Sequence, residues 1–314
     1  MNKITKIGLT ALAGSLVAFS VNAAEMTATG GASLTMSDQG NLIEGNRFTM
    51  GNSVTFAASG ETDGGLTVSA SYELDDDVMD DYSMSFGNDS MGTIRFDGSG
   101  GSSAMSAVDD VMPNAYEEAW HGASAGKVIN GLAGVNQFKY TSPSFSGATF
   151  TVSYLPSSEA VSVQSTTAYA IAWSPEMAEG LTVGYASQDD DSGSATTASD
   201  DSSESTMYIK YVTGPITVGY QESELDSDTN SEDADSSAFG ISYAVSDSLT
   251  IAYGSHTYET TGSSSLSDQE STAVSASYTM GGMTIAGIMN DMDNEAGVAA
   301  TDKEMYELNL SFAF

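Results

Sequence analysis

Apolar and polar residues alternate one by one through almost the whole chain, and that period of two constrains its fold more than any other feature. Met26, Ala28, Ala32, Leu34 and Met36 interleave with Thr27, Thr29, Ser33 and Thr35, and Phe48, Met50, Val54 and Phe56 with Arg47, Thr49, Ser53 and Thr55. Leu66, Val68, Ala70 and Tyr72 alternate with Thr67, Ser69, Ser71 and Glu73, and Tyr82, Met84 and Phe86 with Ser83 and Ser85. Successive side chains of a strand point to opposite faces, so such segments are strands with two unlike surfaces. Further segments of the same kind span Thr93–Asp97, Gln137–Thr141, Ala148–Tyr154, Thr167–Trp173, Leu181–Ser187, Thr206–Val212, Ile216–Gln221, Phe239–Val245, Leu249–Ser255, Thr272–Met280, Met283–Met289 and Met305–Phe314. The pattern predicts about 16 strands.

The connections alternate as well. Gly60–Gly65, Asn88–Gly92, Pro143–Gly147, Ser174–Gly180, Thr213–Pro215, Ser246–Ser248 and Gly281–Gly282 are short and rich in turn residues. Between them fall the longer Asp75–Asp81, Gly98–Gly134, Pro156–Gln164, Asp189–Ser205, Glu222–Ser236, His256–Glu270 and Asn290–Lys303. One edge of the sheet thus carries tight turns and the other carries loops, as in an outer-membrane barrel with short periplasmic turns and longer external loops.

A soluble β-sandwich also alternates, but it needs large apolar side chains on its buried face. Here the second face is Thr, Ser, Gly and Ala with an occasional charge, and those polar groups need water. Tyr154, Tyr185, Tyr220, Tyr243, Tyr253, Tyr278 and Phe314 stand near strand ends, where interfacial girdles lie. The sequence therefore predicts an all-β fold, a transmembrane antiparallel β-barrel with a wet interior. Its last segment, ending on Phe314, must pair with the first, because an open edge in hydrocarbon leaves backbone groups unpaired.

The start of the chain supplies an address. Lys3 and Lys6 precede an apolar stretch from Ile7 to Val21 and the small residues Ala23 and Ala24, the pattern of a secretory signal peptide over residues 1–24, with the barrel in residues 25–314. Without the leader, 6 basic residues face 43 acidic ones, a net charge near −37. Nucleic acid is an improbable partner for such a chain, and cations are natural ones. There are no cysteines, so stability must come from the sheet itself.

The acids gather in the long connections: Asp75, Asp76 and Asp77 with Asp80 and Asp81, Asp189 to Asp191, Asp200 and Asp201, Glu222 to Asp235, and Asp291 with Asp293. Such a rim concentrates cations at one mouth. Asp75, Asp76 and Asp77 are the candidate Ca²⁺ ligands, although no EF-hand spacing is present and solvated loops explain the same composition. No other cofactor is expected. With only His121 and His256, no Gly-rich phosphate loop and no Cys/His metal set, the chain offers little for catalysis and reads as no enzyme.

The stretches GETDGGLTVSASYEL, SFGNDSMGTIRFDG, FKYTSPSFSGATFTVSY and the terminal LNLSFAF, in that order, resemble the general diffusion porins of alphaproteobacteria, the Rhodobacter-type group. The resemblance implies a 16-stranded barrel of the cell outer membrane, usually a homotrimer, whose third external loop folds inward and narrows the pore. It also implies that the terminal Phe314 is read by the barrel assembly machinery. The longest connection, Gly98–Gly134, stands where that family places its constriction loop, and it carries Asp109, Asp110, Glu117 and Glu118. Arg47, Arg95, Lys139 and Lys210 lie on the polar face of their strands and are expected to face those acids across the lumen. The expected function is a water-filled, cation-favouring channel for small hydrophilic solutes, set among outer-membrane lipids. The alternatives are a substrate-specific channel and a structural or adhesive Ca²⁺-binding exported β-protein.

Overall fold

The computed structural model describes residues 25–38, 47–75, 78–126, 129, 131, 133–156, 165–190, 202–227, 233–261 and 265–314. The leader 1–24, Asp76, Asp77, Lys127, Asp191, Asp200 and Asp201 lie outside the described residues.

The chain forms strands β1 (Glu25–Asp38), β2 (Arg47–Glu61), β3 (Thr67–Asp75), β4 (Val78–Asn88), β5 (Gly92–Ser99), β6 (Gly101–Ser102), β7 (Ala133–Gly134), β8 (Gln137–Thr141) and β9 (Ala148–Leu155). Then follow β10 (Thr166–Trp173), β11 (Leu181–Asp190), β12 (Ser202–Thr213), β13 (Ile216–Ser227), β14 (Ala234–Ala244), β15 (Leu249–Thr260), β16 (Gln269–Met280), β17 (Met283–Asp293) and β18 (Lys303–Ala313). All but β6 and β7 join one closed barrel of sixteen strands, each antiparallel to its neighbours in sequence. The strands β6 and β7 pair only with one another.

Closure follows from the alternation. Strand β18 pairs with β1 from Asp38 opposite Tyr306 to Gly31 opposite Ala313. Phe314 completes the seam: its N–H donates to Gly30 O at 2.9 Å, and the Gly30 N–H donates to Phe314 O at 2.8 Å. A Cβ on Gly30 would lie 2.8 Å from the Phe314 ring, so the glycine makes room for that aromatic. The outward positions form an apolar belt, with Phe48, Met50, Val274, Met289 and Phe312 among its most exposed members. No soluble protein would leave so much contiguous apolar surface bare. Inward positions are mostly hydroxyls, amides and small residues, with a few charged and larger side chains where the inner loop lies.

Strands run further than the alternation suggests. Strand β13 continues to Ser227 and β11 to Asp190, while β14 begins at Ala234. Glu222, Glu224, Asp226, Asp235, Asp189, Asp291 and Asp293, expected in loops, are therefore strand residues at the long-loop end. Above the bilayer both faces of a strand meet water, so the hydropathy alternation that marks strands disappears while the hydrogen-bond ladder continues.

Candidate functional site

The buried apolar cluster lies where the connection between β5 and β8 presses on the inner wall of the sheet. Ala104, Met105, Val108, Met112, Ala119, Trp120, Ala123 and Ile129 of that connection pack against inward residues of the barrel such as Ala168, Ala186, Ala273 and Met292. Its neck is pinned by β6 and β7, with Gly101 opposite Gly134. Lys139 on β8 donates to Ser102 O and Oγ at 3.0 and 2.9 Å. The Ala104 N–H donates to Ser153 Oγ on β9 at 2.7 Å.

Two neighbouring rows of wall residues receive the rest of the segment. One row is smooth: Gly219, Gly240, Gly254 and Ala273 stand side by side across β13 to β16. Met112 and Pro113 lie on it so closely that a Cβ on Gly219 would sit 2.8 Å from Pro113 Cδ. The other row holds hooks: Gln221, Ala238, His256, Ser271, Met292 and Lys303 are successive cross-strand partners. Gln221 donates to Asp109 O at 2.6 Å and to Val108 O at 3.1 Å, and Lys303 donates to Gly122 O at 2.6 Å. The Trp120 ring lies tilted on the His256 ring at 4.6 Å. Asn290 donates to His121 O at 2.7 Å and Ser275 accepts from the Ala115 N–H at 3.1 Å. These wall groups satisfy backbone groups of the loop at Ala104, Val108, Asp109, Ala115, His121 and Gly122, as a segment held against a wall requires.

The expected acids divide. Asp109 is buried, and its Oδ2 accepts from the Gly131 N–H at 2.6 Å, so it braces the loop from within. Asp110 is exposed to the lumen, and Glu117 and Glu118 are partly so. Enclosure by the barrel, followed by the charges of Glu118, Asp109 and Glu117, pushes the Asp110 carboxyl up to about 7. Burial chiefly, with the Glu117 charge, raises Glu118, whose Oε1 accepts from Asn114 at 2.8 Å. His121 lies 3.3 Å from both Glu117 and Glu307, and the bond to Glu117 above all raises its pKa. Tyr116 donates to Glu307 at 2.6 Å. Sequence reasoning did not single out Glu307, Gln221 or the glycine row; only the alternation marked them as inward.

The basic residues do not assemble at one place. Arg47 opens β2 at the long-loop end, whereas Arg95 lies three residues past Gly92 at the short-turn end of β5. The cross-strand row through Arg95 passes Ser85 and Ser69 and meets β2 at Ser59, twelve residues beyond Arg47 and roughly 40 Å away along the strand. Arg95 bonds Asp97 at 2.5 Å and faces Lys139 directly across β8. Lys210, three residues before the end of β12, reaches Val111 O at 3.5 Å. Among the described residues, no three His, Cys, Asp or Glu side chains are grouped to hold a metal, and Asp75 is the one described member of the candidate Ca²⁺ triplet.

A closed sheet with an apolar outer belt, a polar lumen and one inner loop laid on its wall is a transmembrane β-barrel channel. The sequence matches the Gram-negative porin family over residues 8–265, and the chain belongs to that family. It is an outer-membrane diffusion channel, and family and fold point to a channel rather than an enzyme. Among curated proteins none matches. Solved structures share the fold at low identity. An anion-selective porin from Comamonas acidovorans aligns with a TM-score of 0.71 at 14% identity over 93% of this chain and 100% of its own. A loop-deletion mutant of OmpT of Vibrio cholerae gives 0.68 at 12% over 93% and 100%. A mutant Rh. blastica porin gives 0.66 at 15% over 92% and 100%.

Proposed function

We propose that this porin passes small hydrophilic solutes and ions passively, favours cations, and is narrowed by the loop between β5 and β8. The carrying observation is the loop's exposed face: Asp110, Glu117 and Glu118 stand on it without a lysine or arginine bonded to any of them among the described residues. Carboxylates on a confined, water-filled passage raise the local cation concentration. Reversal potential across a planar bilayer in a KCl gradient at pH 8 tests this. A cation-directed potential is expected, and an anion-directed one overturns the reading.

The outer surface supports a homotrimer. Outward carboxylates such as Glu222, Glu224, Asp235, Glu259 and Asp291 crown the belt on β13 to β17. On β2 to β4 the outward residues at the same end are Phe48, Met50, Leu74 and Met79, all exposed and apolar. That arc suits a second copy of the chain rather than water. Residues 1–24 act as the export signal in this reading, Phe314 as the signal to the assembly machinery, and no catalytic role is assigned. Ca²⁺ at Asp75, Asp76 and Asp77 is kept as a rim accessory that conductance does not require.

A further inference from the structure

His121 of the inner loop has a carboxylate at each ring nitrogen. Its Nδ1 lies 3.3 Å from Glu117 Oε2 on the same loop, and its Nε2 lies 3.3 Å from Glu307 Oε2 on β18. The other Glu307 oxygen accepts from the Tyr116 hydroxyl at 2.6 Å, so one wall carboxylate grips the loop at two places. The backbone of the histidine is fixed as well, with its N–H donating to Glu118 O at 3.0 Å and its carbonyl accepting from Asn290 at 2.7 Å. A neutral imidazole has one N–H and one lone pair. Between two carboxylates that lone pair would face an acceptor at 3.3 Å, whereas an imidazolium donates on both sides. The arrangement is complete only with the ring charged, and the pKa follows: the bond to Glu117 raises it, burial opposes the rise, and the charges of Glu117 and Glu307 add to it.

Further charges surround this ring. Glu118 adjoins it on the loop and is stabilised as a carboxylate by the His121 charge. Lys303, four residues before Glu307 on β18, is engaged by Gly122 O and lies 3.8 Å from Glu295. Arg47 stands two strands along the row through Glu307, beyond Ser37, and His256 lies behind the Trp120 ring. Among the described residues only Glu117 and Glu307 pair with the ring itself. With the ring protonated, one of these two carboxylate charges is cancelled. Once the proton leaves, both are bare and one of the two bonds is lost. Resting on the cation-favouring reading above, we infer that His121 is a specificity-determining residue of the passage: clasped as a cation between Glu117 and Glu307, it ties the loop to β18 and withholds acidic charge from solutes until it deprotonates. Cation preference therefore grows as pH rises past the histidine.

The chain has two histidines, so ring-nitrogen NMR of the full protein refolded in lipid reads the charge directly, the His121 signal being the one lost in His121→Gln. At pH 7.5 an ordinary histidine is about one tenth protonated. The His121 ring should be mainly imidazolium there, with its titration midpoint lowered in Glu307→Gln. A mainly neutral ring, or a midpoint that Glu307→Gln leaves in place, overturns the inference. The second arm is reversal potential in a KCl gradient, taken in an Asp110→Asn background because Asp110 titrates at about 7. His121→Gln should raise the cation-to-anion permeability ratio at pH 7.5 by roughly twofold, and the gap should close as pH passes the midpoint read by NMR. Loosening the loop alone widens the passage and lowers that ratio, so a ratio unchanged or lowered in His121→Gln also overturns the inference. The parent channel separates the two failures. A cation-directed potential with a neutral ring sinks the clasp alone, and an anion-directed potential with a charged ring sinks the reading beneath it.

Discussion

Gly219 and Gly240 face one another across β13 and β14, and Pro113 of the inner loop lies on both: a Cβ on Gly240 would come within 2.5 Å of Pro113 O. A third member of the row, Gly254, is different, since a Cβ there would meet the Ala119 Cβ at an ordinary 3.6 Å. Gly240→Leu overfills the contact at a cost of about 1–3 kcal/mol, while the barrel ladder around it stays intact. The loop should leave the wall for the lumen, giving lower single-channel conductance with flicker and an unchanged unfolding temperature. Gly254→Ala should leave both unchanged. A Gly240→Leu channel indistinguishable from the parent would mean that the loop does not limit the passage.

Asp110 titrates within the working range, because its carboxyl is held at about 7 and is thus raised. As pH falls through 7 it gains a proton and the loop loses a negative charge; above 7 it is ionised. Cation preference should therefore weaken between pH 8 and pH 6, well above the range of an ordinary carboxylate. Asp110→Asn should lower the preference at pH 8 and flatten the pH dependence in that window. A reversal potential that is constant from pH 8 to pH 6 in the parent channel contradicts the assignment.

The barrel was legible in the sequence because lipid outside and water inside impose a chemical difference on every alternate residue, so Leu308, Leu310 and Phe312 declare their face one by one. The loop's identity was legible from its length and from family resemblance. Its landing site was not. Gly219, Gly240 and Gly254 are read in sequence as weak points of strands, and only the register that aligns them reveals a floor. The separation of Arg47 from Arg95 was hidden for the same reason, as alternation gives the face of a residue and says nothing of its height. Asp109 and Asp110 look alike in sequence, as neighbouring loop acids do, and only the backbone that turns Asp109 inward separates them.

Trp120 offers an optical reading of loop docking, since the chain contains just one other tryptophan, Trp173. Both ring nitrogens of His256 are buried without a partner, so this histidine serves Trp120 through its ring face. In a Trp173→Phe background, His256→Ala should remove a ring contact worth about 0.5–1.5 kcal/mol and leave a void. Trp120 emission should shift to the red and open-channel noise should rise, with the strands unaffected. Unchanged emission would show that Trp120 is held by the surrounding loop alone.

Phe314 combines two roles that a pair of variants can separate. Its backbone makes the last two seam bonds to Gly30, and its ring fills the space above that glycine and lies 6.1 Å from the Phe312 ring. Deleting Phe314 removes bonds and ring together, and an unpaired backbone group at the hydrocarbon boundary costs several kcal/mol, so roughly that loss per group is expected in refolding yield and thermal stability. Phe314→Ala keeps the backbone bonds and gives up only the ring, a loss of about 1.5–3 kcal/mol at most for a side chain that is still 44% exposed. In detergent or lipid, the purified Phe314→Ala chain should refold to a barrel that resists SDS at room temperature. If the ring is also a signal to the assembly machinery, the same variant should be strongly depleted from the outer membrane in cells. Equal yields of parent and variant in cells, beside equal refolding in lipid, would leave the ring with a packing role and no part in assembly.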